Sequence, residues 1–284
     1  MKFFKAFTSG AVRALRSIKA ILLFWLMTIA VLAVFTYPLK SFINEAMGNS
    51  MITNLLDEGF NLTLFTDLGQ AFSPMMSYIT SGFLILLLLY FFLYNFLNGG
   101  LFDSLKANKL SYKPGDFFRS SARLFLSYLV VMVLVILMLL LAMVLIVGVP
   151  ILIQRAGGSA TEEQTWKLVS VLRIIALLVL PVFLLVADYS RTWLAANDYR
   201  KVFKSIGYGF KATFKTFFSS YFFMLIMIIV QGLFVMLVAK VLASYKPDTG
   251  GGLFLLFLLS QFLFIVKLFL RAVRYGGVTT LYRL

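Results

Sequence analysis

The sequence predicts an all-α fold: a polytopic membrane protein of six transmembrane helices, arranged as three hairpin repeats, each preceded by a basic amphipathic interfacial helix, with both termini cytoplasmic. Three observations predict it. Hydrophobic residues make up 61% of the 284 and charged residues only 13%, more apolar side chains than a water-soluble core of this length has room to bury. The apolar residues gather into six runs, each long enough to cross about 30 Å of hydrocarbon. Basic residues recur ahead of every odd-numbered run, at a helical spacing that separates them from phenylalanine.

The first element is the segment before the first run. At about 100° per residue, Lys2, Lys5, Ser9, Arg13, Arg16 and Lys19 share one face, and Phe3, Phe4, Phe7, Ala11, Ala14, Leu15 and Ile18 fill the other. Such a helix is expected to lie in the headgroup plane, rings inserted and cations facing phosphate. The run at 20–38 follows; it lacks a small-residue cleavage site and reads as a retained span, not a secretory leader. The loop at 39–75 carries Phe42, Ile43, Met47, Met51, Leu55 and Leu56 at helical spacing, which predicts a further amphipathic piece. Its Asn61-Leu62-Thr63 triplet fits a glycosylation acceptor but carries little weight.

The second run, 76–102, ends on "NGGLFDSLK", and the sixth, 253–275, on "YGGVTTLYR"; aligning the glycine pairs matches Asp103 and Lys106 with Thr280 and Arg283. The fourth run, 166–190, leaves through "VADYSRTWL", where Asp188 and Arg191 show the same spacing. Before the third run, 122–153, Asp116, Arg119, Ser120, Arg123 and Ser127 oppose Phe117, Phe118, Leu124 and Phe125. Before the fifth, 217–243, Arg200, Lys201, Lys204, Lys211 and Lys215 oppose Val202, Phe203, Ile206, Phe210, Phe214 and Phe217. The chain therefore reads as one membrane domain, 1–284, with internal repeats 1–110, 111–197 and 198–284.

Net charge is +15, and its placement sets the expected orientation. Of the basic residues, only Lys40, Arg155, Lys167, Arg173, Lys240 and Lys246 lie outside 2–19, 106–123, 191–215 and 267–283, so these four stretches are expected on the cytoplasmic side. Nucleic acid is a poor explanation of this charge, because the cations interleave with spans and already face a phosphate-bearing surface. Cysteine and histidine are absent. That removes disulfides, haem, iron–sulfur clusters, thiolate or imidazole metal sites and catalysis that depends on either residue. No nucleotide-binding loop or nucleophile elbow occurs, so no catalytic residue, metal or cofactor is expected.

Candidate sites follow from charge and depth. Lys2, Lys5, Arg13, Arg16, Lys19, Arg119, Arg123, Arg200, Lys201, Lys204, Lys211 and Lys215 are the candidate lipid-headgroup ligands. Polar residues inside spans are rare, and Asn95, Asn98, Asp103, Asp188, Gln231, Gln261 and Lys267 form the candidate intramembrane set. Gln231 and Gln261 fall at similar depth and are expected to bond across their hairpin. Asn95 and Asn98 precede a glycine pair suited to close helix approach, Asp103 and Asp188 should pair with Lys106 and Arg191, and Lys267 and Arg173 should snorkel. Tyr189, Trp166 and Trp193 suit interfacial anchoring, and Pro181 should kink the fourth span.

Hairpins entered through "FKAFTSGAVRALRS" and "YRKVFKSIGYGFKATFKT", with an exit such as "ADYSRTWLAAND", resemble bacterial six-span inner-membrane proteins. These include the membrane domain that accompanies some glycerophosphodiester phosphodiesterases. The resemblance covers most of the chain and is one of pattern; it implies inner-membrane residence and phospholipid-related work, without the phosphodiesterase catalytic domain and with no functional residue carried across. The expected function is a non-enzymatic inner-membrane protein that binds anionic phospholipid and supports lipid or amphiphile handling or a membrane protein complex. The alternatives are a small-solute permease with a polar cavity between hairpins and a purely structural subunit of a membrane assembly.

Overall fold

Why the six runs become helices follows from their content: about twenty or more nearly uninterrupted apolar side chains, over which only a helix satisfies its own backbone polar groups in hydrocarbon. The computed structural model describes residues 2–47, 72–106, 112–157, 161–197, 200–245, 247 and 249–283, and among them there is no strand. Helix α1 spans Lys2–Arg16 and α2 Ile18–Met47, separated at Ser17; α3 spans Phe72–Ser104. Helix α4 runs Pro114–Met143, continues through one π-helical turn at Val144–Gly148, and resumes as α5, Val149–Ala156. Pro150 stands just beyond that wider turn and lacks the amide hydrogen that a regular ladder needs there. Helix α6 spans Glu162–Ala196, α7 Val202–Lys215, α8 Phe217–Ser244 and α9 Gly250–Arg283.

Among the described residues, six stretches are long and apolar enough to cross a membrane: Ile18–Pro38, Thr80–Ser104, Pro114–Gln154, Glu163–Ala196, Phe217–Ser244 and Gly250–Tyr282. They coincide with the six sequence-predicted runs. Helix starts are set by local chemistry. Pro114 occupies the first turn of α4, and Thr161 caps α6 through its hydroxyl while Gln164 bonds back to the Thr161 amide.

The chain divides into two compact units, 24–94 and 1–23 together with 95–284. In the first, Phe24 and Tyr94 meet edge to face at 6.2 Å, and an apolar groove is lined by Val31, Val34, Ser81, Gly82 and Ile85. The start of the expected outer loop is helical, since α2 continues to Met47. The rest of that call, including Met51, Leu55, Leu56 and the Asn61 triplet, lies outside the described residues.

The second unit is built on three crossings of short-side-chain surfaces. Helix α1 lies against the end of α9, where a Cβ added to Gly10 would stand 2.6 Å from the Val273 carbonyl oxygen and 2.8 Å from the Gly277 nitrogen. Helix α7 lies against the end of α6 in the same manner, with Gly209 against the Val186 carbonyl oxygen at 2.6 Å and against Ser190. The start of α4 lies against the end of α3, where Gly99 and Gly100 face Ser121 and Phe117. Small residues let backbones approach this closely, which supplies van der Waals contact even where no water is expelled. The pairing is cyclic: α4 on α3, α7 on α6, and α1 on α9.

Two expectations change here. The basic segments read as two-faced helices, cations opposite apolar side chains, yet Ala6, Gly10 and Ala14 form a packed stripe on α1, and Ser205, Gly209 and Thr213 one on α7. The cations and the phenylalanines are displaced to either side of this stripe. And only two of the three basic segments are separate helices. Residues 114–127 belong to an unbroken α4, because nothing between Gly115 and Gly148 interrupts the helix, and Phe117 and Leu124 are buried with Ser120 and Ser121.

Candidate functional site

The three helix ends that carry the crossings bring aromatic and charged side chains together behind them. Phe102 of α3 stacks on Tyr275 of α9 with centroids 4.4 Å apart and meets Tyr128 of α4 edge to face at 5.7 Å. The Arg274 guanidinium lies 4.9 Å from the Tyr275 ring centre and its Nε 3.1 Å from Asp188 Oδ2. Asp188 also faces Arg191 Nη1 at 3.7 Å, and Arg191 lies 6.0 Å from the Tyr128 ring, whose hydroxyl donates to the Arg191 carbonyl at 2.9 Å. Six side chains from four helices thus close a circuit: Phe102, Tyr275, Arg274, Asp188, Arg191 and Tyr128. Asp188 is 1% exposed, and a carboxylate so placed persists only with cations against it.

Phe102 forms the floor of a small open recess of about 30 Å³, whose walls include Arg13, Lys106, Thr192, Thr279 and Tyr282. Arg13 Nη1 donates to Thr279 Oγ1 at 2.7 Å, and Ser9 and Thr280 share a hydroxyl hydrogen bond of 2.8 Å, so α1 is fastened to α9 beside the glycine contact. Lys106 Nζ lies 2.7 Å from Asp103 Oδ1. Thr192 and Thr279 donate to the carbonyls of Asp188 and Gly276, while Tyr282 accepts from Asn197 Nδ2. Tyr208 meets Tyr282 edge to face at 5.4 Å; partial burial, with Tyr282 beside it, raises its phenol above the ordinary value of 10.

The predicted residues are distributed as follows. Lys5, Arg16, Lys19, Arg119, Arg123, Arg200, Lys201, Lys204, Lys211 and Lys215 are exposed, as headgroup ligands must be; the Lys2 side chain lies outside the described residues. Arg13 differs, turning into the recess toward Thr279. Asp103 and Lys106 pair as expected, whereas Asp188 has a nearer partner in Arg274 than in Arg191. Asn98 is fully buried and its carboxamide has no hydrogen-bond partner among the described residues; Asn95 Nδ2 lies 3.0 Å from Met132 Sδ.

Lys267 is exposed, in keeping with a snorkelling side chain. Two calls are corrected. Gln231 Nε2 reaches toward the Leu270 carbonyl at 3.5 Å, so it is level with a residue nine positions, or about 14 Å, along α9 from Gln261. The two amides are not at one depth. Tyr189 is no interfacial anchor: it is buried, with its hydroxyl 2.6 Å from Ser220 Oγ and 3.3 Å from Thr216 Oγ1. The crossings also reset the alignment of the second exit. Val186 and Ser190 take the places of Val273 and Gly277, so Asp188 corresponds to Tyr275 and Asn98, not to Asp103.

Arg274, Arg271, Tyr128, Phe102, Tyr275 and Tyr282 were not singled out from the sequence. Arg271 and Arg274 were counted only as topology signals, although two arginines one helical turn apart at the end of an apolar run carry the same hint as Lys267. Compared with models of protein families, with curated proteins and with solved structures, the chain matches none.

Proposed function

We propose that this is a non-enzymatic integral protein of the bacterial inner membrane whose three basic collars bind anionic phospholipid, and whose hairpins support handling of lipids or other amphiphiles or a membrane protein complex. One observation carries the reading. After α1 and α7 have packed on their small-residue stripes, their large apolar side chains remain uncovered: Phe4 is 61% exposed, Phe203 78% and Phe214 61%, beside exposed Lys5, Arg16, Lys204 and Lys215. A helix docked through a third face, with rings and cations side by side on what remains, suits an interface in which rings enter the acyl region and cations meet phosphate. Each cation near an anionic leaflet adds roughly 1 kcal/mol.

The equivalent crossings of Gly10, Ser121 and Gly209 support a threefold internal repeat, and the basic placement supports termini on the cytoplasmic side. A permease is less well supported, because Gln231 and Gln261 do not meet and Asp103 and Asp188 are each paired with a cation. Proteoliposomes of mixed zwitterionic and anionic lipid test the reading: the lipids retained through purification should be enriched in the anionic species. Substituting Lys5, Arg16, Lys19, Lys204, Lys211 and Lys215 with Gln should abolish that enrichment. Wild-type protein that retains both lipid classes in the proportions supplied would overturn it.

A further inference from the structure

Three side chains can donate into the recess between α1 and the ends of α3, α6 and α9. Arg13 and Lys106 each carry more N–H groups than the one given to Thr279 and to Asp103. The Tyr282 hydroxyl already accepts from Asn197, which leaves its own hydrogen to give. The hydroxyl hydrogens of Thr192 and Thr279 are committed to backbone carbonyls, so these two can only accept. An anion complements the two cations and the phenol.

Charge decides whether an anion is stable there. Three helix C-termini converge on the recess, each equivalent to about half a negative charge, which opposes an anion. Against roughly −1.5 from that source stand Arg13 and Lys106 at the wall and Arg191, Arg271 and Arg274 behind it, offset by Asp103 and Asp188. Five cations against two carboxylates leave +3, so the site remains positive by more than one charge. The arginines behind are largely withdrawn from water, where their field is screened less than at an open surface.

We infer that this recess is a discrete binding site for a phosphate ester anion, held by Arg13, Lys106 and the Tyr282 hydroxyl over the Phe102 floor. It rests on the reading that this end of the molecule faces a phosphate-bearing leaflet or its adjoining water, but it is a saturable site, separate from the outer faces of the collars. The phosphate belongs to an anionic lipid headgroup or to a free phosphate compound, and the probes distinguish these.

The test uses the full chain in nanodiscs of zwitterionic lipid, titrated by calorimetry with inorganic phosphate and, separately, with dihexanoyl phosphatidic acid. Saturable binding of either supports the site; saturation by the lipid alone assigns a headgroup, and by both a free phosphate group. Lys106→Gln should weaken the saturable affinity about tenfold or more, and Tyr282→Phe by several-fold. Lys240→Gln, exposed near the far end of α8, should leave it unchanged. Tyr282→Phe removes one oxygen and keeps the ring, so its effect on binding is readable even if Arg13 or Lys106 variants unfold. No saturable binding of either probe, or equal affinities in wild type, Lys106→Gln and Tyr282→Phe, would overturn the site. Collar substitutions that abolish anionic enrichment while saturation persists would leave it standing, and the reverse result would separate the two proposals.

Discussion

Two glycines of α7, two residues apart, should respond oppositely to the same methyl group. A Cβ at Gly207 meets nothing within 4 Å, so Gly207→Ala adds only helix propensity, about 1 kcal/mol of stabilisation. A Cβ at Gly209 stands 2.6 Å from the Val186 carbonyl oxygen and also against Ser190 Oγ. The hydroxyl can rotate away, but the carbonyl belongs to the α6 backbone. Reaching the 3.4 Å of ordinary contact lifts α7 by most of an ångström and loosens Ser205 and Thr213 with it. Overpacking of this kind costs about 1–3 kcal/mol, which offsets or outweighs the propensity gain. Both variants share that gain, so they should differ by the overpacking cost alone, about 1–3 kcal/mol. At roughly 2–4 °C per kcal/mol for chains of comparable size, that is a gap of about 2–12 °C in melting temperature, measured by size-exclusion thermostability in one detergent. If Gly209→Ala melts at or above Gly207→Ala, the close crossing of α7 on α6 is not what holds the collar in place.

Gly10→Ala, whose Cβ meets three backbone atoms of α9, should destabilise as Gly209→Ala does, in the same melting assay. Asp188→Asn leaves Arg274 and Arg191 buried without their carboxylate and should cost about 3–5 kcal/mol; adding Arg274→Met should recover part of the lost melting temperature. Tyr128→Phe removes a buried hydrogen bond to the Arg191 carbonyl, which keeps its helical partner, and should cost about 0.5–1.5 kcal/mol by the same measurement. The raised Tyr208 phenol favours the neutral form in the folded state, so its stabilisation is complete below pH 10 and disappears as pH climbs through the raised value. Ultraviolet titration of wild type against Tyr208→Phe should show one phenol ionising late. Because the chain has no cysteine, single cysteines at Phe4 or Phe214 can carry spin labels, whose depth should place both at the acyl boundary.

How much of this was legible in advance depended on the range of the interaction. The six spans were readable because about twenty consecutive apolar residues leave an unmistakable trace, and the cations of α1 and α7 because charge and aromatic rings dominate a helical wheel. The packed stripe was not, since Gly10, Ala14, Gly209 and Thr213 contribute almost nothing to such a pattern; their importance lies in what they lack. Asp103 with Lys106 is a one-turn pair and could be named. Asp188 with Arg274 spans 86 positions, and no local spacing announces it. The similarity of "ADYSR" to "LFDSLK" drew the second exit out of register, because a matching acid and base outweighed glycine positions that actually fix the crossing. Gln231 and Gln261 were paired by counting from span ends, which ignores how far one helix slides along another.

The cyclic order of the crossings has a consequence for biosynthesis. Helices α4 and α7 each dock on a helix made just before them, but Gly10 of α1 seats against Gly276, 266 residues downstream. At about 5–20 residues per second the ribosome delivers that partner roughly 15–50 s later. Throughout that interval α1 has emerged with its glycine seat empty. On the proposed function, the leaflet surface is where such a helix would wait, rings down, until α9 arrives and the clasp shuts.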